Sequence, residues 1–419
     1  MNFENTYTKE QQEFRKEVRA WIKANVPENM RMPMGTGLGI IGYEQAGDRA
    51  PEMMAFWKEK HLELGKRGWL YPTYPKQYGG GGLTAEHEAI LAEEFHKWGV
   101  VPHHSDAQTI DPVLVWGTEE QKQKFVVPLL RGEKTSHRTL TEPQSGSDLA
   151  NVRTRAVRDG DEWLITGQKV FISTFEGVDY LSGLAVTDPD APGHRNLGVF
   201  LIPTPAKGPS MQTMNLITGK PKSIFMEYVR APADHLIGDP TQGWQVMGTV
   251  LDQEQQSSGS AVAPENRVVT TLVDFMQQTR KRGTHPEGDP VLQQHTVSAW
   301  IDDHIYALFV MRTHSLFMNK MAMGWEGATG RHINREEGLR TKARVRTVMG
   351  MYAHLGKHDP LAPYGGLQDW QQMSYPHTAG GINIGKVIIA RRIGISRTRE
   401  RAAPTRMTAP SGVGAVSGT

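Results

Sequence analysis

The sequence predicts an α+β chain of several domains, in which a β block lies between two helical regions. Apolar residues recur at helical spacing near the N-terminus, in the stripe Phe14, Val18, Trp21, Ile22 and Val26. From about residue 138 to 238, β-branched residues alternate with polar ones, and turn pairs such as Asp159-Gly160 interrupt them. After Gly243-Trp244 the helical periods return. These observations predict an N-terminal all-α domain (1–137), a middle β domain (138–240) and a C-terminal helical bundle (241–401).

Helices are predicted first. Thr8 and Gln11 have the spacing of a capping box before the first apolar stripe. Two amphipathic segments follow near 51–64 and 85–98, separated by an irregular loop at 69–82 that is rich in proline and glycine. Another helix is predicted to start at Thr118 and to end near Gly132.

The middle block predicts five strands, and the last third predicts three long helices. The strands are expected near 152–158, 162–166, 180–187, 197–202 and 224–229. The helices are expected at 246–279, 290–323 and 338–355. Residues 402–419 are rich in small residues and proline, which predicts a flexible tail.

Composition excludes several classes of function. The chain has 419 residues, enough for two to four domains or one multi-layer enzyme subunit. Its 47 basic residues nearly balance 45 acidic ones, so the chain has no strong positive electrostatic field that would favour binding to nucleic acid or to a membrane surface. The absence of cysteine excludes disulfides, thiolate catalysis and Cys-ligated metal centres. Redox chemistry would therefore need a bound organic cofactor or a His/carboxylate metal site.

The sequence offers no signal for export, membrane insertion or metal binding. The N-terminus is polar and acidic, without a basic and then apolar leader pattern, and no apolar stretch approaches the ~18 residues of a membrane span. None of the 16 histidines has metal-ligand spacing on a helix. A soluble, cytoplasmic protein without a metal is expected.

Two neighbouring segments are the most informative part of the chain. The first, 140–148, reads Leu-Thr-Glu-Pro-Gln-Ser-Gly-Ser-Asp, and the second, 167–173, reads Gly-Gln-Lys-Val-Phe-Ile-Ser. Thr141, Gly146 and Ser147 form a hydroxyl-lined turn that is able to bind a phosphate or a heteroaromatic ring, although about half of such turns serve only as caps. Phe171 and Ser173 are two apart on a strand, so a ring and a hydroxyl would face one flat cofactor.

This pair of segments resembles the acyl-CoA dehydrogenase family, whose hallmarks are Thr-Glu-Pro-x-x-Gly-Ser-Asp and Gly-Gln-Lys-x-(aromatic)-Ile-(Ser/Thr). The resemblance covers nearly the whole chain. It extends to Tyr-Pro-Lys-Gln-Tyr-Gly-Gly (74–80), Gly-Thr-Glu-Glu-Gln-Lys (117–122), Val-Arg-Ala-Pro (229–232) and Ile-Ile-Ala-Arg-Arg-Ile-Gly (388–394). It implies a helical N-terminal domain, a barrel-like middle β domain and a C-terminal four-helix bundle.

The resemblance also implies an FAD enzyme that removes hydrogen from the α and β carbons of an acyl-CoA thioester. Thr141 would bond the isoalloxazine edge, Phe171 would lie beside the ring, and Ser173 would reach the flavin near N5. Ser147 would contact the flavin pyrophosphate or the CoA moiety, and Gly146 belongs to the same turn. The product would be a trans-2-enoyl-CoA, and the electrons would pass to an electron-transfer flavoprotein.

The catalytic base implied by the resemblance is Glu254. One branch of the family has a glutamate before a Gly-Thr near the C-terminus, where this chain has Ala379 before Gly380. The isovaleryl and long-chain branch carries it in a Leu-x-x-Glu-Arg context, which Leu-Asp-Gln-Glu (251–254) fits. On composition alone, such a carboxylate is more often part of a solvated helix face. Substrate contacts would come from Ser147, Asp252, Gln255, Ala379 and Gly380.

Other positions depart from the family pattern. Gln255 replaces the arginine that usually follows the base, and Arg280 or Arg282 stands in a segment that lacks the usual Phe-Gly. Asn383 takes the place of the usual hydrogen-bonding residues after Gly380-Gly381. These departures are compatible with a homodimer or homotetramer, or with a heterotetramer in which only one kind of subunit carries a complete site.

Three functions therefore remain open at the level of sequence. The first is an acyl-CoA dehydrogenase, and the departures around Gln255 and 220–223 hint at a branched or ring-bearing acyl group. The second is a non-catalytic or half-site subunit of a heteromeric acyl-CoA dehydrogenase complex. The third is a flavin monooxygenase or oxidase on the same fold.

Overall fold

The computed structural model describes residues 7–31, 50–100, 107–172, 178–204, 209–216, 221–256, 267–281, 289–319, 321, 324–355, 359 and 381–396. For residues 50, 252–256, 267–268, 279–281 and 317–318 it describes the backbone alone. Within these ranges, the residues up to Gln256 form one compact unit, and those from Arg267 form a second.

The first unit begins with five helices: α1 (Lys9–Asn25), α2 (Ala50–Lys66), α3 (Ala85–Trp98), α4 (Ala107–Trp116) and α5 (Glu119–Gln121 and Val127–Leu130, joined by a π-helical turn at Lys122–Val126). Both predicted starts are confirmed. The backbone N–H of Gln11 donates to Thr8 Oγ1 at 3.2 Å, and that of Gln121 donates to Thr118 Oγ1 at 3.3 Å. Helix α4 was not predicted, and it contains Pro112, a residue that is unfavourable inside a helix.

The loop between α2 and α3 is irregular, as predicted, and contains a single short 3₁₀ turn at Lys76–Tyr78. Its aromatic side chains are buried in the core of the first unit, together with those of α1 and α2. The loop is thus a packed element that supports the helices around it.

Eight strands form one sheet in the order β6-β7-β3-β2-β4-β5-β8, and β1 pairs in parallel with β4. Their bounds are β1 Ser136–Arg138, β2 Arg155–Asp159, β3 Glu162–Ile172, β4 Tyr180–Val186, β5 Leu197–Pro203, β6 Ser210–Thr213, β7 Lys222–Pro232 and β8 Leu236–Ile237. The five predicted strands are present. The three that were missed have two to four residues, too few to show an alternating pattern.

Helix α6 (Gly243–Gln256) follows the sheet and packs on α4 within the first unit. Val246, Met247 and Val250 are buried, and Trp116 Nε1 donates to Thr249 Oγ1 at 2.9 Å. The backbone position of Glu254 therefore belongs to a helix that is fixed by α4. The prediction placed one helix over 246–279; helix is present at Gly243–Gln256 (α6) and at Arg267–Lys281 (α7), and 257–266 lie outside the described residues.

The second unit contains α7 (Arg267–Lys281), α8 (Pro290–Met318), α9 (Glu326–Met349) and α10 (Ile382–Arg392). Its core includes Leu272, Ala299, Val345 and Val348. The predicted start of this helix at Gly338 is wrong by twelve residues, because α9 begins at Glu326 and continues through three glycines, the last of which is Gly338. A helix tolerates an interior glycine at about 1 kcal/mol.

The order of helices, sheet and helices confirms the predicted fold class. The bounds of the four predicted segments, 1–137, 138–240, 241–401 and 402–419, stay a prediction, and the tail lies outside the described residues. Within the described ranges, no helix is both long and apolar enough to cross a membrane.

Candidate active site

A tight turn just after β1 carries the first predicted segment. Glu142 and Ser145 exchange two backbone hydrogen bonds, of 2.8 and 3.1 Å, and this closes the turn. Ser145 is buried, and its hydroxyl donates to the Asp148 carbonyl at 2.6 Å. Gly146, Ser147 and Asp148 are exposed beyond it. The turn is therefore anchored on its inner side and open on its outer side.

Thr141 is held directly against the end of β3. Its carbonyl oxygen accepts a 2.9 Å hydrogen bond from the backbone N–H of Val170, the residue before Phe171. The structure thus brings together the two segments that the sequence singled out, with Thr141 next to Phe171. No partner for the hydroxyls of Thr141 or Ser147 lies among the described residues.

A buried ion pair joins the turn to β3. Glu142 Oε1 accepts from Lys169 Nζ at 2.7 Å and from the Thr154 hydroxyl at 2.6 Å. Its second oxygen accepts from the backbone N–H of Arg153 and from Gln144 Nε2, both at 2.6 Å. Lys169 Nζ also donates to the Leu184 carbonyl at 2.9 Å. The side chains of Glu142 and Lys169 are 2% and 1% exposed, so this network is dry.

The electrostatics of the pair follow from its partners. Burial alone would raise the pKa of Glu142, but the Lys169 charge and the surrounding donors lower that pKa below its ordinary value. Burial lowers the pKa of Lys169, and Glu142 opposes this shift. Each charge is therefore matched by the other, and further hydrogen bonds from the backbone and from neighbouring side chains surround both groups.

Phe171 has a strained backbone and an exposed ring. Its φ is 57°, and the pairing of β3 with β7 shifts register between Lys169 and Ile172. A left-handed conformation is unfavourable for an aromatic residue, and such strain concentrates at functional sites. The side chain is 56% exposed although the neighbouring Val170 and Ile172 are buried. Packing against the described residues does not explain the position of this ring.

Gly146 is also not explained by packing. A Cβ added to it would have no atom of the described residues within 4 Å, so none of these residues requires glycine there. Gly167 is different, because a Cβ on it would lie 2.7 Å from Thr154 Cβ. A glycine at position 146 would also allow a bound ligand to approach the backbone closely, because it has no side chain.

The other predicted site residues are less fully described. Asp252, Glu254 and Gln255 lie on α6, where only the backbone is described, and the same holds for Arg280 on α7. Asn383 is exposed in the first turn of α10, after Gly381 with a φ of 20°. Ser173, Arg282, Ala379 and Gly380 lie outside the described residues. The described residues contain no group of three metal-ligating side chains.

Sequence reasoning missed Glu142, Lys169 and Thr154, although the first two belong to the quoted motifs. The available signal was a lysine within an otherwise largely apolar stretch of β3. A buried lysine requires a counter-charge, and the neighbouring motif offered two unassigned carboxylates, Glu142 and Asp148.

Two family models match the chain: the N-terminal domain of acyl-CoA dehydrogenases over residues 41–133, and their middle domain over residues 138–228. The probable acyl-CoA dehydrogenase YngJ of Bacillus subtilis (strain 168) is 30% identical over 328 residues, which cover 73% of this chain and 81% of that protein.

Solved structures agree with these matches. The ChsE4-ChsE5 complex from Mycobacterium tuberculosis gives a TM-score of 0.76 at 24% identity, covering 94% of this chain and 100% of that chain. A variant of the Tcur3481-Tcur3483 steroid ACAD gives 0.74 at 25% identity, covering 93% and 99%. With the helical, sheet and helical order and the intact turn after β1, these findings show that the chain belongs to the acyl-CoA dehydrogenase family of oxidoreductases.

Proposed function

We propose that this chain oxidises an acyl-CoA thioester to the trans-2-enoyl-CoA and uses FAD as its cofactor. The observation that carries the proposal is the junction of Thr141 with the end of β3. There a hydroxyl without a partner among the described residues adjoins a strained, exposed phenyl ring. A hydrogen-bonding group beside an open aromatic face suits a flat heteroaromatic ligand.

The residues of this edge fit FAD chemically. Thr141 is assigned to the isoalloxazine edge and Phe171 to the side of the ring. The exposed Gly146 and Ser147 offer an open approach and a donor to a phosphate or to the CoA moiety. Ser173, Arg280, Arg282 and Asn383 complete the proposed set of cofactor contacts.

The proton chemistry is assigned to α6. An α C–H beside a thioester is weakly acidic, so its removal needs a positioned base and donors at the carbonyl oxygen. Glu254 is the proposed base, since its backbone lies on a helix that the Trp116–Thr249 bond fixes in place. The backbone N–H of Ala379 is the proposed carbonyl donor, and Asp252, Gln255 and Gly380 are assigned to the substrate.

When bound, FAD supplies the acceptor for the hydride that leaves the β carbon. An electron-transfer flavoprotein is the proposed next acceptor. For the acyl group we propose a bulky, branched or ring-bearing chain, which the departure at Gln255 and the similarity to a steroid ACAD support.

The test is a spectral one. The purified chain should carry flavin absorbance, and anaerobic addition of the correct acyl-CoA from a panel of linear, branched and ring-bearing thioesters should bleach it. Glu254→Gln should abolish bleaching while FAD stays bound. Asp274→Asn, at an exposed carboxylate on α7, is the matched control and should bleach normally. Absence of flavin after reconstitution, alone and with a homologous subunit, would refute the proposal.

A second candidate is a subunit of a heteromeric complex that carries only part of a flavin site. The ChsE4-ChsE5 complex among the similar structures favours it, as does Ala379 in place of a glutamate. Here the chain alone would bind no FAD, but a co-expressed homologous subunit would restore flavin content. Full flavin occupancy and bleaching by the isolated chain would decide against this candidate.

A further inference from the structure

The chain turns from α4 into α5 at Gly-Thr-Glu-Glu-Gln-Lys (117–122), a motif that has no role in the proposed cofactor or substrate contacts. We call residues 116–121 the α4–α5 corner. Gly117 closes α4, since its backbone N–H donates to the Val113 carbonyl oxygen at 2.9 Å. A Cβ at Gly117 would lie 2.6 Å from that same oxygen, so this tight corner requires glycine.

The buried side chain of Gln121 joins the corner to the strand that precedes α6. Its Oε1 accepts from the backbone N–H of Thr118 at 2.9 Å. Its Nε2 donates to the carbonyl oxygens of Asp234 and Leu236 at 2.8 and 2.7 Å. Leu236 begins β8, which pairs with β5, and α6 follows β8 along the chain. The corner is therefore fixed to the sheet next to the start of α6.

Trp116 lies at the start of the corner and contacts α6 directly. Its ring packs against the core of the first unit, and its Nε1 donates to Thr249 Oγ1 at 2.9 Å. Thr249 is completely buried. An indole has one N–H donor and no acceptor, so the bond holds only while the hydroxyl faces that nitrogen. Rotation or sliding of α6 at this point would break it.

The bond to Thr249 acts in the middle of α6. At the start of the helix, a Cβ on Gly243 would lie 2.4 Å from the Leu197 carbonyl oxygen, so this end packs closely on β5. Val250 is buried, and position 254, four residues further along, belongs to the same face of the helix. Position 254 is about 7.5 Å along the axis from Thr249. Rotation of α6 about its axis would therefore move position 254 off that face.

We infer that Trp116 is a positioning residue for the proposed base: its bond to Thr249 fixes the rotation of α6, and with it the position from which Glu254 takes the α proton. The inference rests on the proposed function. Misplacement of a reacting group by about 1 Å can slow a reaction about 100-fold, so Trp116 can control the rate without contacting the substrate. A bond that only stabilised the core would affect the melting temperature and leave the reaction unchanged.

The first test is kinetic and uses the full chain loaded with FAD. Trp116→Phe keeps a ring but removes the N–H, and Thr249→Val keeps the shape but removes the hydroxyl. In both variants we expect anaerobic flavin bleaching by acyl-CoA to slow by about 10- to 100-fold, with unchanged FAD affinity and unchanged half-saturating substrate concentration. Thr249→Ser, which retains a hydroxyl, should recover most of the rate. Wild-type rates in the first two variants would overturn the inference.

Trp57→Phe is the matched control. Trp57 is completely buried in the same unit, and its Nε1 donates to the Met30 carbonyl oxygen at 3.1 Å. This variant also loses an indole hydrogen bond, but one that does not involve α6. It should lower the melting temperature at least as much as Trp116→Phe and bleach at the wild-type rate. An equal loss of rate in Trp57→Phe would show that general destabilisation slows the reaction, which contradicts the inference.

Amide hydrogen exchange tests the position of α6 without flavin or substrate. We expect residues 250–256 to exchange about fivefold faster in Trp116→Phe and Thr249→Val, the factor that one hydrogen bond typically contributes. In Trp57→Phe they should exchange at the wild-type rate. Unaltered exchange in the first two variants would overturn the inference even if the wild type bleaches normally. A wild type that never bleaches would instead refute the proposed function, and with it the assignment of Glu254, whatever the exchange rates are.

Discussion

Glu142 and Lys169 are charged side chains that the fold buries at the base of the candidate site. Burying two charges gains little stability over a well-packed apolar pair, so stability alone is a weak reason for them. What the pair does geometrically is specific. Glu142 belongs to the turn that carries Thr141, Gly146 and Ser147, and Lys169 belongs to β3 two residues before Phe171. The ion pair therefore fixes the turn against the strand.

We expect Glu142→Gln and Lys169→Met each to lower the free energy of unfolding by about 3 kcal/mol, because each leaves a buried charge unmatched. The double variant should lose clearly less than the sum of the two. Urea unfolding curves measure all three. Glu162→Gln, which breaks the exposed 2.6 Å pair with Arg230 on the same sheet, is the control and should change little. Additive losses would show that the two residues are not coupled.

Phe171 and Tyr228 both have a strained backbone, but only Phe171 is assigned to a ligand, so the two residues can be compared. Both have positive φ, 57° and 48°, and both rings are exposed. Glycine adopts positive φ without strain. We therefore expect Phe171→Gly and Tyr228→Gly each to raise the free energy of unfolding by up to about 1 kcal/mol. Phe171→Gly should also weaken FAD binding, whereas Tyr228→Gly should not. Flavin titration followed by fluorescence checks this, and equal affinities would remove Phe171 from the cofactor site.

At the scale of elements, Gly146 and Gly167 allow the effect of a substitution on stability to be distinguished from its effect on FAD binding. Gly146→Ala should leave the melting temperature unchanged, because its Cβ meets nothing within 4 Å, but it should reduce FAD binding. Gly167→Ala should be destabilising by about 1–3 kcal/mol, since its Cβ would overlap Thr154, a donor to Glu142. Thermal melts with and without FAD distinguish the two. If Gly146→Ala binds FAD normally, the outer side of the turn does not contact the cofactor.

The elements that could be predicted are those whose signals are local. Capping boxes located the starts of α1 and α5, and period-two alternation located the five longer strands. The predictions failed in two helices that contain a residue of low helix propensity. Pro112 lies inside α4, and α9 continues through Gly338, where its start was predicted, so tertiary packing overrides the low helix propensity of both residues.

The sequence indicated which residues belong to the candidate site, but it did not indicate how these residues contact one another. The motifs indicated Thr141 and Phe171, and the structure joins them through the bond from Val170 N–H to Thr141 O. The buried pairing of Glu142 with Lys169 depends on a contact between segments 27 residues apart, which no local pattern reveals. The positive φ of Phe171 arises from a bulge in the pairing of β3 with β7, so it too required the structure.

At the scale of the whole molecule, the proposed site residues are divided between the two units. The first contains Thr141, Phe171 and the backbone of Glu254, while the second contains the backbone of Arg280 and Asn383. The charge of the chain is nearly balanced, so its response to pH near neutrality depends on individual buried groups and not on general repulsion.

Two histidines of the first unit make acid stability a testable property of the whole chain. Burial, together with the charge of Arg138, lowers the pKa of His137 to about 4. Burial also lowers the pKa of His235, whose ring packs against Phe125 and whose Nδ1 lies 2.6 Å from the Leu201 carbonyl oxygen. The folded chain therefore binds fewer protons than the unfolded chain as pH falls from about 6.5 to 4.

The unfolding free energy should accordingly decrease on acidification through that window. Melting temperatures measured at one protein concentration from about pH 7 to about pH 4.5 test this, since assembly would otherwise make them concentration-dependent. His137→Gln should flatten the decrease, because it removes one of the groups that take up a proton on unfolding. His96→Gln, at an exposed imidazole near the end of α3, is the control and should keep the wild-type slope. If His137→Gln also keeps that slope, the cost of burying a protonated ring at β1 is not what limits the acid stability of this protein.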